Sequence, residues 1–156
     1  MTDYLGPRPS VNFKKMVAHD VLDPLSYVIS GEFTTEYLGV VLGSPRANGK
    51  VTDVWWSVKG CGRDDDNMIS GEVDVLINGT SCLTTKPSIR YVSGELSQHK
   101  TTKITGDTGI TQAVINNSAN SFTAGDVITC DVILTAESSP DTKMNNAVVV
   151  VELEPT

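Results

Sequence analysis

Ile77-Asn78-Gly79-Thr80-Ser81-Cys82-Leu83-Thr84-Thr85-Lys86-Pro87 and Thr123-Ala124-Gly125-Asp126-Val127-Ile128-Thr129-Cys130-Asp131-Val132 are the two stretches on which the reading of the fold turns. Each joins a strand of alternating side chains to a tight glycine turn. Asn78-Gly79 is the pair expected in a hairpin turn, where both central residues take positive φ. Ala124-Gly125-Asp126 reads as a turn that launches a long strand. In the strand leading into the first stretch, Val73, Val75 and Ile77 point inward and Glu72, Asp74 and Leu76 outward. In the strand that the second launches, Ile128, Cys130, Val132 and Leu134 point inward while Thr129 and Asp131 point outward.

The same period of two continues outward in both directions. Tyr27-Val28-Ile29-Ser30-Gly31-Glu32-Phe33 and residues 37–42 read as two strands joined by Thr34-Thr35-Glu36. Residues 51–59 put Val54, Trp56 and Val58 on one face and Asp53, Trp55 and Ser57 on the other. In the last strand, Ala147, Val149, Val151 and Leu153 alternate with Val148, Val150, Glu152 and Glu154. Between 93 and 122 the pattern weakens, with short candidates at 102–104 and 110–115. Asn48-Gly49, Thr108-Gly109 and Ser139-Pro140-Asp141 supply further turn chemistry. About eight short strands separated by turns, without a convincing helix longer than two turns, predict a sandwich or barrel, and a single antiparallel β-sandwich is the expectation.

Residues 1–26 follow neither period. Pro7, Pro9 and Pro24 interrupt them, and a proline biases its predecessor toward extended backbone. They are expected to form an extended N-terminal arm, with a short helical turn near Phe13, ahead of a sandwich domain at 27–156.

Composition excludes several classes. A chain of 156 residues with 39% apolar content can bury a core without disulfides or metals. No apolar run is long enough to span a bilayer, and the first nine residues do not have the pattern of a secretion signal. Synthesis in the cytoplasm and no membrane partner are expected. The net charge of −7 lacks the footprint of a nucleic-acid binder. Cys61, Cys82 and Cys130 are odd in number and without CxxC spacing, so free, buried thiols are expected.

Motifs for chemistry are sparse. His19 and His99 stand among polar neighbours, and no GxSxG follows either. Asp64-Asp65-Asp66-Asn67 invites a calcium reading, but its acids are consecutive and Met68-Ile69 follows where ligands should continue. A site there would need Glu72 or another loop; a solvated turn is the simpler reading. Phosphate cradles are absent, and the sequons at Asn78 and Asn116 lack a secretory context. No catalytic residue, cofactor or metal is expected, so the chain is read as a non-enzyme.

Two apolar features exceed what a core needs. Trp55 lies on the face opposite Trp56, and Val148 and Val150 lie on the outward side of the last strand. Left uncovered, they would form an apolar patch of the kind found at protein–protein interfaces. Tyr4, Leu5 and Phe13 of the arm could instead cover them. With Met16, these arm residues are also the anchors expected to grip a partner.

The turn-and-strand pattern from about Gly71 to Leu153, with its NGTS and AGD turns, resembles jelly-roll-like virion proteins of tailed bacteriophages. The resemblance implies a jelly-roll-like sandwich and a structural role in the particle. The expected form is a capsid decoration (cement) protein bound outside the shell, bridging subunits of the major capsid protein and forming a dimer or trimer. Tail, collar or head-fibre components share the pattern, and there Trp55 and Tyr91 could stack on host carbohydrate.

Overall fold

The structure, a computed structural model, describes residues 22–61, 69–92, 94, 99–104, 108–136 and 143–156. The described chain opens with β1 (Leu25–Phe33), β2 (Tyr37–Gly43), β3 (Gly49–Cys61) and β4 (Ile69–Ile77). Short strands follow: β5 (Thr80–Ser81), β6 (Leu83–Thr85), β7 (Ser88–Arg90), β8 (Lys100–Thr101), β9 (Ile110–Thr111), β10 (Val114–Ile115) and β11 (Ser121–Phe122). Two long strands, β12 (Ile128–Ala136) and β13 (Met144–Pro155), complete it. No helix occurs among the described residues.

Two main antiparallel sheets and a separate two-stranded pair, β10 with β6, result. One has the order β1-β13-β3-β11, with β8 also on β3; the other has β2-β12-β4-β7-β9, with β5 also on β4. The pairing is nested. The first strand joins the last, β2 joins β12, β3 joins β8 and β11, and β4 joins β7. From β1 to β4, and again from β12 to β13, successive long strands change sheets, which is the wrapping of a jelly roll. The sequence expectation of an all-β, antiparallel, jelly-roll-like sandwich matches this architecture.

The core lies where the alternation places it. Val54, Trp56, Val73, Val75, Ile77, Ile128, Val132, Val149 and Val151 are all buried between the sheets. Each contributes about 1.5–3 kcal/mol by leaving water. Trp56 fits because β4 carries Gly71 opposite it: a Cβ there would come within 2.6 Å of the indole. The indole N–H donates to the Pro87 carbonyl at 3.1 Å, so the buried ring leaves no polar group unpaired.

Several sequence expectations need adjustment. The first strand begins at Leu25, and Leu22 and Leu25 already pack against the core. The candidate at 102–104 is bent; the strand there is β8, one step earlier. The candidate at 110–115 divides into β9 and β10, which pair with different neighbours. Asp74 does face outward, yet it is only 7% exposed. Ser81 Oγ donates to its carboxylate at 2.6 Å and Lys86 stands 3.3 Å away. Most of the expected arm, including its helical turn, lies outside the described residues, as do Asp64, Asp65, Asp66 and the turn at Ser139-Pro140-Asp141.

The two stretches that decide the fold meet in space. Asn78 and Gly79 take φ of 49° and 83°, the geometry of a two-residue hairpin turn between β4 and β5. Asn78 Nδ2 donates to Asp126 Oδ1, and Val127 N donates to Asn78 Oδ1, each at 2.9 Å. Thr123 N and Oγ1 donate to Asp126 Oδ2 at 2.7 and 3.1 Å. Ala124 N donates to Asn48 Oδ1 at 2.9 Å, and Gly125 N to the Pro45 carbonyl at 2.9 Å. Three turns are thus clasped at one end of the sandwich.

The donors from Thr123, and then the Asn78 amide, hold the Asp126 carboxyl below the usual aspartate range. A carboxyl with a lowered folded-state pKa adds stability above its unfolded value, and that increment disappears as pH falls through the folded value. Asp126→Ala is therefore expected to melt below the wild type at neutral pH. The gap should close as pH falls below the ordinary aspartate value of 3.8. Thermal melts of both proteins from pH 7 to pH 2 measure it; a gap independent of pH would refute the assignment.

Candidate interaction face

The outer face of the β1-β13-β3 sheet brings together residues that are distant in sequence. Register sets Val28 beside Val148, and Val148 beside Ser57. One pair further along, Ser26 lies beside Val150, and Val150 beside Trp55. Opposed residues of antiparallel strands share a face, so Val28, Val148, Val150 and Trp55 form one block. Val28 is 62% exposed; the other three are half-buried. Ser26, Ser57 and Thr101 complete a surface that crosses the sheet without a charge, with Ser57 Oγ donating to Thr101 Oγ1 at 2.8 Å.

Charge begins at the next row. Asp53 and Glu152 are register partners, and Lys103 reaches both, at 2.5 Å from Asp53 Oδ2 and 3.5 Å from Glu152 Oε1. The Lys103 ammonium also sits 4.1 Å from the Trp55 ring centroid, within cation–π range. Hydrogen bonding to Asp53, and then the charges of Asp53 and Glu152, push its pKa above the ordinary lysine value. Its segment is fixed to β3: Thr102 N donates to the Trp56 carbonyl at 2.9 Å, and Trp56 N to Thr102 Oγ1 at 3.0 Å. Gln112 Nε2 donates to the Lys103 carbonyl at 3.1 Å.

Of the residues expected at an interface, the structure brings Trp55, Val148 and Val150 into one patch. Tyr4, Leu5, Phe13 and Met16 lie outside the described residues. Part of the cover over Trp55 comes from Lys103, a source that strand alternation does not reveal. Val28 was also missed as a member; its outward phase was legible, but its neighbours were not. The proposed stacking pair of Trp55 and Tyr91 does not form, because Tyr91 is a core residue at 1% exposure. Its position two residues before Ser93, in a polar region, gave no sign of burial.

Other chemistry is weakly provisioned. Cys61, Cys82 and Cys130 are buried and lie outside any disulfide. Burial, reinforced by Asp74, pushes the Cys82 thiol up to about 12; burial, reinforced by Asp131, does the same to Cys130, also to about 12. Both are protonated at neutral pH and poor nucleophiles. Among the described residues no group of three or more His, Cys, Asp or Glu is placed to hold a metal ion. His99 is exposed.

A scan against protein-family models finds no match, and neither does a search of curated proteins. The functional reading therefore rests on this chain's own surface and on the resemblance of its turns.

The two indoles offer a direct check of the face. Acrylamide quenching should resolve one protected tryptophan, Trp56, and one partly accessible, Trp55. Lys103→Ala should raise quenching of the accessible component while costing about 1 kcal/mol or less, as for exposed ion pairs. Unchanged quenching would contradict the cover assigned to Lys103.

Proposed function

We propose that this protein is a structural component of a tailed-phage particle, a capsid decoration protein that binds outside the shell and bridges major capsid subunits. The observation that carries the reading is the uncharged block of Val28, Val148, Val150 and Trp55 on a protein of net charge −7. An apolar centre built of uncharged side chains, with Asp53 and Glu152 along one border and Lys103 reaching from there over Trp55, has the composition of a protein-binding surface. The acidic remainder suits a position away from packaged DNA. The NGTS and AGD turns, joined in the clasp, are the features that resemble virion sandwiches.

In this role the work is mechanical. A sandwich stiffened by nested strand pairing presents the face, and many copies sum modest contacts into shell stability. Tail, collar or head-fibre placement is the competing location.

Copy number and binding test the reading together. Purified particles of the encoding phage should carry hundreds of copies, and the isolated protein should rebind particles stripped of it. Trp55→Ala should weaken rebinding by roughly thirty-fold, as for an interface hot spot of about 2 kcal/mol, with an unchanged far-UV circular dichroism spectrum. A handful of copies per particle would place it in the tail or fibres. No copies and no rebinding would overturn the virion role.

A further inference from the structure

Antiparallel sheets end in strands whose outward backbone groups can pair with another chain, and soluble proteins blunt such edges with shortness, bulges, charge or proline. The two main sheets here have four edges. At β11 and β9 the edge strand is two residues long. The β2 edge is interrupted by two register shifts, and Gly39 takes a φ of 65°. The β1 edge differs. Leu25-Ser26-Tyr27-Val28-Ile29 runs in unbroken register with Val151 to Ala147, and irregularity begins only after Ile29.

None of these five residues is charged, and none is proline or glycine. Among the described residues no strand pairs with the far side of β1. The strand is held firmly in place: Tyr27 packs edge-on against Tyr37 at 6.2 Å, and Phe33 against Tyr37 at 6.0 Å. The edge also borders the candidate interaction face, because Val28 belongs to both.

We propose that residues Leu25–Ile29 form a homodimer interface, in which β1 pairs antiparallel with β1 of a second copy about a two-fold axis at Tyr27. Such an axis needs a segment complementary to itself, and this one qualifies. Leu25 meets Ile29 of the second copy on the core side, and Ser26 meets Val28 of the second copy on the outer side. No like charges meet, although each copy carries −7, so pairing elsewhere on the acidic surface would be opposed. The union makes one sheet across both copies and joins the two uncharged faces into a single larger one. The proposal does not depend on a virion role.

The test uses the full-length protein alone, without particles. Sedimentation equilibrium should show a monomer–dimer equilibrium. S26K/V28K, at two exposed positions, sets lysines opposite one another across the axis. It should raise the dimer dissociation constant about ten-fold or more, equivalent to ~1.4 kcal/mol, with an unchanged melting temperature in the monomer range. L38K, on the exposed β2 edge, should leave the equilibrium unchanged. Amide exchange at residues 26–29 should slow as protein concentration rises. A monomer at every concentration would overturn the proposal, as would a dimer that L38K weakens and S26K/V28K does not. Protection at 26–29 that is independent of concentration would mean cover from within one copy, and would overturn it equally.

Discussion

The position of β13 between β1 and β3 governs the rest of the molecule. Its register runs from Met144 against Cys61 to Pro155 against Gly49 on one side, and from Met144 against Phe33 to Val151 against Leu25 on the other. The last strand thus joins two strands that would otherwise be neighbours only through a gap. Without it, β1 has no partner and the inner faces of β3 and β12 have incomplete cover. Ala147-Val148-Val149-Val150-Val151 is apolar without interruption. Ala147, Val149 and Val151 fill the core, while Val148 and Val150 build the outer face. Core and candidate interaction face are therefore two sides of one strand. The pairing of first strand with last also gives the fold a high contact order, the regime of slow-folding β proteins.

The long strands were legible because their side chains alternate in burial: Val54 and Trp56, Val73 and Val75, Ile128 and Val132, Val149 and Val151 each fall on the face their spacing assigns. Of the short strands β5 to β11, only β9 and β10 fell within a candidate segment, 110–115, since two or three residues carry almost no periodicity. Pairing partners were equally hidden. That Val150 meets Trp55, that Val28 joins them, and that Asn78 meets Asp126 are consequences of topology, which local pattern does not encode. Environment was misjudged where polar neighbours suggested exposure, as at Tyr91, or where a charge suggested solvent, as at Asp74. In the latter case Ser81 and Lys86 provide the hydrogen bond and counter-charge that make near-burial tolerable.

The distribution of charge links the fold to its use. Lysines are placed against carboxylates at the borders of the outer face: Lys103 on Asp53 and Glu152, Lys50 on Glu154, Lys143 on Glu32. These pairs are exposed and individually weak, and Lys103 alone among these lysines also rests over Trp55. The Cys82 and Cys130 thiols, held protonated by burial, contribute packing rather than reactivity. The uncharged area of the outer face is the feature on which the proposed role in assembly rests.

Native-state hydrogen exchange tests the nested arrangement most directly, because opening free energies rise from edges to twice-paired core strands. The account predicts that amides of residues 147–151 exchange with the slowest class, alongside those of β3, β4 and β12, through global unfolding. Those of β2, an edge strand broken by two register shifts, should exchange through smaller openings. Fast exchange at 147–151 together with slow exchange in β2 would place β13 at an edge and contradict the jelly-roll closure.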